Sequence, residues 1–339
     1  MNAKEPILMS HAISRTPFRV SFFGGGSDYP AWYLKYGGAV LSTTINRYCY
    51  ISCRYLPQFF GIRHRIVWSH IETVNSISEI LHPAVRAGLQ AWGFDDYKGI
   101  ELLHQGDLPA RSGIGSSSSF AVGLANALYA LRGIFLDKHA LALAAIELEQ
   151  NQLRDNVGSQ DQVAAAYGGF NLIKFKTDGR IEIEPVPLSQ ERLALFQGKF
   201  MMFYTGTTRL SSMVAKKLIE NLDNRVQHIE TIHRMVYEAS QIVQHGDLDD
   251  FGRMLHETWC LKRELVDNIS SGAIDEIYGT AVAAGALGGK LLGAGGAGFM
   301  VFYVPEERQE KVRNALHNLL YVPVQFDFTG STLIYRVEE

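Results

Sequence analysis

The sequence predicts a two-part α+β protein, an N-terminal α/β part over 1–190 and a second α+β part over 191–339. Three observations point to it. Strand-like and helix-like segments alternate through the first half, as packed layers of sheet and helix require. The pattern is interrupted at Pro185-Val-Pro-Leu-Ser189. It then restarts with a strand, two long amphipathic helices and a further mixture of strands and helices.

In chain order, residues 18–23 read as a strand that ends in the turn Gly24-Gly-Gly-Ser-Asp28. A short aromatic segment follows, and 39–54 is rich in Thr, Ile, Tyr and Val, which fit a pleated, half-buried surface. Residues 76–92 carry Ile80, Leu81, Val85 and Leu89 at helical spacing. Residues 99–104 form another strand candidate. Residues 120–131 are apolar nearly all round, the mark of a buried helix. A second helix spans 137–153 with Asp137 as its cap, and a third spans 161–167, stopped by Gly168-Gly169. Residues 169–176 and 181–186 pair around Thr177-Asp-Gly-Arg180. Beyond the boundary, the pattern gives a strand at 200–204, helices at 211–245, 248–269 and 274–286, a glycine loop, a strand at 299–304, a helix from 306 and a last strand at 332–336.

Composition narrows the function. The chain has 339 residues, 47% hydrophobic and 20% charged, with a net charge of −3. That is ordinary for a globular enzyme. It gives no electrostatic footprint for nucleic acid. Cys49, Cys53 and Cys260 are too few for a disulfide framework. Cys49 and Cys53 share one strand face as buried thiols, and no paired histidines support zinc. No secretory leader or membrane span is read, so the expected location is cytoplasmic. A homodimer is the default guess for assembly.

Four segments carry chemistry. In Ser112-Gly-Ile-Gly-Ser-Ser-Ser-Ser119, Gly113 and Gly115 let the backbone approach a ligand, and the helix that follows offers free N–H donors and a partial positive charge. Serine hydroxyls there suit phosphate oxygens or Mg²⁺. The same string would also serve as a linker or a run of caps, and it lacks the Lys-Ser/Thr pair of a Walker A loop. The second glycine loop has Gly293, Gly295 and Gly298 in the G-x-G-x-x-G pattern, with Gly296 between. A dinucleotide site needs that pattern to open a helix, and here a strand follows. A tight glycine crossing against another loop fits better. The third segment joins Arg19 on a strand to Asp28 after the glycine turn. The fourth places Asp161 at the start of an apolar helix, as a cap or as a carboxylate facing a substrate hydroxyl. Glu149 sits late on its helix, where the dipole disfavours it unless a cation is near.

Taken together, in order and spacing, these segments resemble the GHMP kinase family. Pro17-x-Arg19 through Asp28, Pro109 through Ser118, and Gly293 through Gly298 correspond to its three motifs. Arg19-Val-Ser-Phe-Phe-Gly-Gly-Gly-Ser-Asp28, Thr44-Ile-Asn46 and Gln160-Asp-Gln162 are most similar to the branch acting on the anomeric hydroxyl of sugars. The resemblance implies a GHMP kinase fold with an N-terminal α/β domain and a C-terminal ferredoxin-like α+β domain. It implies ATP and Mg²⁺ as cofactors and a small-molecule sugar phosphate as partner, specifically a heptose 7-phosphate destined for surface polysaccharide. Asp161 would handle the proton of the attacking hydroxyl, and Arg19 would stabilise the transferring group. Ser112, Gly113, Ile114, Gly115, Ser116, Ser117 and Ser118 would hold ATP, with Ser117 and Glu149 on Mg²⁺. Gly25, Gly26, Asp28, Gly168 and Gly169 would hold the sugar. In the loop Thr205-Gly-Thr-Thr-Arg-Leu-Ser-Ser212, between a strand and a helix, N–H groups, hydroxyls and Arg209 suit the sugar's existing phosphate, and the same loop would also serve as a helix cap with a solvated arginine. Trp68 and Asn75 fall where adenine contacts are possible. Ser27 stands where histidine is common in the family, which sets the sugar contact apart from that of galactokinase. Competing readings are another GHMP sugar kinase of fucose or mannose type, a non-catalytic sugar or nucleotide sensor, and a nicotinamide oxidoreductase resting only on Gly293, Gly295 and Gly298.

Overall fold

The computed structural model describes residues 9–206, 211–265, 269–293 and 295–338. Arg209 therefore lies outside the described residues. The first sheet is built on two long strands, β1 (Met9–Phe23) and β2 (Gly38–Leu56), joined through the short helix α1 (Pro30–Tyr36). They pair antiparallel along almost their whole length, with register breaks at Pro17/Phe18 and Ser21/Phe23. Such irregularities re-aim side chains, and these two bracket Arg19. Next come β3 (His64–Val67), β4 (Ile71–Val74), α2 (Pro83–Ala91) and β5 (Gly99–Gly106). β5 pairs antiparallel with β2 and parallel with β3.

Helices α3 (Ser116–Leu131), α4 (Lys138–Ile146) and α5 (Gln160–Tyr167) pack against this sheet. As its apolar sequence requires, α3 is buried along most of its length. The strands β6 (Phe170–Phe175) and β7 (Ile181–Pro185) form the expected hairpin, and β6 pairs with β2. The helix expected over 137–153 turns π-helical at Glu147–Gln152. A wide turn of this kind is frequent at functional sites, and it carries Glu149. The helix expected over 76–92 is shorter, because a capped 3₁₀ turn at Ile77–Glu79 precedes Pro83.

The second unit comprises α6 (Gln190–Gly198), β8 (Phe200–Tyr204), α7 (Ser211–Asn221), α8 (Val226–His245), α9 (Leu248–Leu265), α10 (Gly272–Ala284), β9 (Gly288–Leu291), β10 (Phe299–Tyr303), α11 (Gln309–Ala315) and β11 (Leu320–Tyr321). Its sheet runs β11-β8-β10-β9, all antiparallel. With helices between β8 and β9 and between β10 and β11, this is the ferredoxin-like arrangement.

The N-terminal sheet is antiparallel except for the β3–β5 pair. One further feature departs from the sequence reading: the span 191–339 is not wholly the second part. β12 (Phe326–Asp327) and β13 (Thr332–Glu338) return to pair with β2 and β1. A strand's partner is set by long-range closure, which local composition does not carry.

The two units share one core. Phe22 of β1 lies tilted against Phe200 at 4.9 Å between ring centroids and meets Phe251 of α9 edge-on at 5.4 Å. Phe196 meets Phe251 edge-on at 4.8 Å. Each such pair contributes about 0.5–1.5 kcal/mol beyond its buried area. This aromatic seam fixes the two walls of the cleft described next. Cys49 and Cys53 are buried with free thiols, and burial pushes both thiols well above their usual range.

Candidate active site

The cleft lies where the N-terminal ends of α3 and α5, the β1–α1 turn and the second domain converge. Its floor is the 112–119 loop. Gly113 and Gly115 both adopt left-handed backbone, with φ of +82° and +72°, which favours glycine. A β-carbon on Gly113 would sit 2.3 Å from the Leu292 carbonyl oxygen. One on Gly115 would sit 3.0 Å from Arg19 Cγ and 3.3 Å from Asp161 Oδ2. Gly115 is also the residue from which α3 starts. Gly113, Gly115, Ser116 and Ser117 line the cleft together with Arg111. The rest of the loop faces inward. Ser112 Oγ donates to the Pro109 carbonyl, Ile114 is buried and accepts from the Arg19 amide, and Ser118 Oγ donates to Glu149.

Asp161 stands on the first turn of α5, facing that loop. Arg19 holds it in a two-point bond, Nε to Oδ1 at 2.8 Å and Nη2 to Oδ2 at 2.7 Å. Arg19 Nη1 donates to the Gly113 carbonyl. The planar guanidinium thereby ties the carboxylate to the loop, which a point charge would not do. A carboxylate offers about four lone-pair positions, so Asp161 can still accept from a ligand hydroxyl.

Asp28 is buried beside it. Its Oδ2 accepts from Gln160 Nε2 at 2.9 Å and its Oδ1 from the Gly26 amide at 3.1 Å. Ser21 Oγ in turn donates to Gln160 Oε1 at 2.6 Å. Burial, then repulsion from Asp161, pushes the Asp28 carboxyl up to about 6. Gly25 and Gly26 line the same wall.

Glu149 lies behind the serine run, and burial pushes its carboxyl up to about 7. One oxygen accepts from Ser118 Oγ and Gln162 Nε2, each at 2.6 Å, and these two with the neighbouring Ser117 side chain pull the carboxyl down against the effect of burial. No cation pairs with it among the described residues. Gln162 Oε1 beside it is buried with no partner among the described residues.

The second glycine loop buttresses the first. Gly293 abuts Gly113, the Phe299 amide donates to the Ser112 carbonyl at 3.1 Å, and Gly298 crosses close over Ser112. The Gly296 amide donates to the Ile269 carbonyl at 2.9 Å, with Gly295 against the same residue.

Gly168 and Gly169 do not line the cleft. They sit at the far end of α5, about 10 Å from Asp161 at 1.5 Å per residue. There Gly168 packs against Gly330 and Gly169 faces Phe328 and Asn171, and the Gly169 amide donates to Asp327 O at 2.8 Å. Trp68 is not in the cleft wall either. Its Nε1 donates to Glu72 at 2.7 Å and its ring meets His70 and His82, while Asn75 is an exposed residue whose amide donates to Glu79. Sequence reasoning gave no role to Arg111, Gln160, Lys262 and Lys290, all of which line the cleft, although Arg111 lies within the Pro109–Ser118 motif and Gln160 within the Gln160-Asp-Gln162 string. The two lysines carried no local signal.

A loop built to receive phosphate, facing a carboxylate able to receive a hydroxyl, is the layout of a small-molecule kinase. The sequence matches the GHMP kinases N terminal domain over residues 77–169 and the GHMP kinases C terminal domain over 238–322, just over half the chain together. The chain belongs to the GHMP kinase family, whose members take ATP as phosphoryl donor. It is 27% identical to the D-glycero-alpha-D-manno-heptose 7-phosphate kinase of Campylobacter jejuni, over 93% of this chain and 96% of that one. It is 24% identical to the galactokinase of Pyrococcus furiosus, over 91% and 93%. The crystal structure of a D-glycero-D-manno-heptose 1-phosphate kinase from Bacteroides thetaiotaomicron superposes with a TM-score of 0.77 at 24% identity, covering 96% of this chain and 99% of that one. The protein is thus an ATP-dependent sugar kinase. No described helix is long and apolar enough to cross a membrane.

Proposed function

We propose that the protein transfers the γ-phosphoryl group of ATP to the anomeric hydroxyl of D-glycero-D-manno-heptose 7-phosphate, giving the 1,7-bisphosphate. The chemistry rests on one observation: the Asp161 carboxylate, bonded at two points to Arg19, faces Gly115 of the phosphate loop across less than a side chain's width. The choice of sugar rests on likeness to the Campylobacter jejuni enzyme.

In this reading the sugar enters between Asp28 and Asp161. Asp28 and Gln160 hold ring hydroxyls, and Asp161 accepts a hydrogen bond from the attacking one. The hydroxyl oxygen bonds to the γ-phosphorus, the bond to the β-phosphate oxygen breaks, and the hydroxyl proton passes to Asp161. ADP leaves. Arg19 counters charge on the transferring group. Such transfer depends on positioning and charge neutralisation more than on covalent chemistry. Ser116, the Gly115 region and the α3 N-terminus hold the nucleotide phosphates.

The residues present fit a Mg²⁺ ion. A buried carboxylate without a cation, the Ser117 hydroxyl and the unpartnered Gln162 Oε1 form an all-oxygen set. Mg²⁺ is commonly held by one or two carboxylates plus substrate phosphates. Bound there, the ion would neutralise phosphate charge.

Asp161→Asn tests the assignment. Turnover should fall by about 10²–10⁴, the range for a positioned proton acceptor, while ATP binding by calorimetry persists. Full turnover would sink the role given to Asp161. Sugar binding without ATP consumption by the wild type would favour a sensor.

A further inference from the structure

We propose that Lys262 and Lys290 form a subsite for a phosphate carried by the acceptor itself. This rests on the acceptor being a sugar phosphate. Both side chains line the cleft from the second domain, Lys262 from α9 and Lys290 from β9. Lys290 is buried, and its Nζ donates to the Phe22 carbonyl at 2.7 Å, two residues before the Gly24–Asp28 turn. Lys262 Nζ donates to the Gly293 carbonyl at 2.5 Å. An ammonium has three donors, so each keeps capacity after its carbonyl bonds. Neither has a carboxylate ion-pair partner among the described residues.

Cations in such a setting carry a desolvation cost that their carbonyl bonds and the charge of Asp28, with Asp161 also acting on Lys262, offset in part and a bound anion offsets further. Burial and repulsion from Arg19 act on both, pulling Lys262 down to about 8 and Lys290 well below its usual range. A bound phosphate reverses both effects. Two assignments are available for that phosphate. The nucleotide already has the amides and serines of the 112–119 loop, Arg111 and Arg19. The acceptor wall instead presents two carboxylates, Asp28 and Asp161, which repel an anionic sugar. The lysine pair supplies the counter-charge on that side, beside the turn that carries Asp28.

The test compares D-glycero-D-manno-heptose with and without its 7-phosphate as acceptors of the wild type, Lys262→Met and Lys290→Met. Met matches the lysine stem, and Lys262, the less enclosed of the two, guards against a folding failure at 290. The ratio of kcat/KM for the phosphorylated over the free sugar should fall about 10-fold or more in each variant, the scale of a lost charged hydrogen bond. Calorimetry of heptose 7-phosphate without nucleotide should show the same loss of affinity. Equal losses on both acceptors would place the lysines on the transferred phosphoryl group and overturn the inference. An unchanged ratio would overturn it as well, leaving the function intact. A wild type that phosphorylates free heptose but never the 7-phosphate overturns the proposed function, and the inference with it.

Discussion

Replacing Asp28 with asparagine separates what the acceptor wall does for stability from what it does for binding. The Asp28 carboxyl is fully enclosed and is pushed from 3.8 to about 6 by burial and by Asp161. A carboxyl raised in this way binds its proton more tightly folded than unfolded. The folded state therefore gains stability as pH falls through about 6, and loses it as pH rises. Above that point the ionised group costs roughly 3 kcal/mol, at 1.36 kcal/mol per unit. Asparagine removes the charge and keeps the bonds. Its Oδ1 accepts from the Gly26 amide, and a flip of Gln160 presents Oε1 to the new Nδ2 and Nε2 to the Ser21 hydroxyl. Asp28→Asn should melt higher than the wild type at pH 8, by an amount on the order of several degrees. The gap should narrow as pH falls below about 6 and close only below about 3.8, where Asp28 is protonated in the unfolded chain as well. Its KM for sugar should rise at the same time. Thermal denaturation from about pH 3.5 to 8.5, beside steady-state kinetics, reads both. A variant that melts with or below the wild type at pH 8 would refute the reasoning, as would a difference independent of pH.

Two further substitutions probe the phosphate side. Gly113→Ala places a β-carbon 2.3 Å from the Leu292 carbonyl in a left-handed backbone, where an L-residue costs about 1–2 kcal/mol before the clash is counted; it should lower the melting temperature and weaken ATP binding, both measurable by calorimetry. Glu149→Gln removes a buried charge that no described cation pairs with, so it should leave stability equal or higher while raising the Mg²⁺ concentration needed for half-maximal rate by about 10-fold or more. A Mg²⁺ titration of the rate checks this, and an unchanged requirement would remove Glu149 from the ion.

Much of the site was legible because its chemistry is local. Gly113 and Gly115 precede an apolar helix, which suggests a phosphate-facing turn, and the family resemblance set the linker and capping readings aside. Arg19 and Asp161 are 142 positions apart; the resemblance gave both a role in one reaction, and the two-point bond between them was not expected. The lysine pair was not legible. Lys262 sits in a helix that reads as ordinary amphipathic surface, and Lys290 sits in a glycine-rich stretch whose strand β9 propensity does not announce. Gly168 and Gly169 misled for the opposite reason. They are near Asp161 in sequence, yet a whole helix stands between them. The fold followed the same division. The hairpin of β6 and β7 was readable from its turn. The return of β12 and β13 to the first sheet was not, since only the closed sheet decides which edge they cover.

The acceptor and the position phosphorylated together define the proposed reaction. Purified protein with ATP and Mg²⁺ would be offered D-glycero-D-manno-heptose 7-phosphate, the free heptose, L-fucose, D-mannose and D-galactose, with product position read by phosphorus NMR. The name of the Bacteroides relative places a phosphate at position 1, so the position must be observed directly. The account predicts preferential turnover of the 7-phosphate and a new anomeric phosphate resonance coupled to H1. Preferential turnover of a sugar without a phosphate, or a new phosphate at any other carbon, would contradict it.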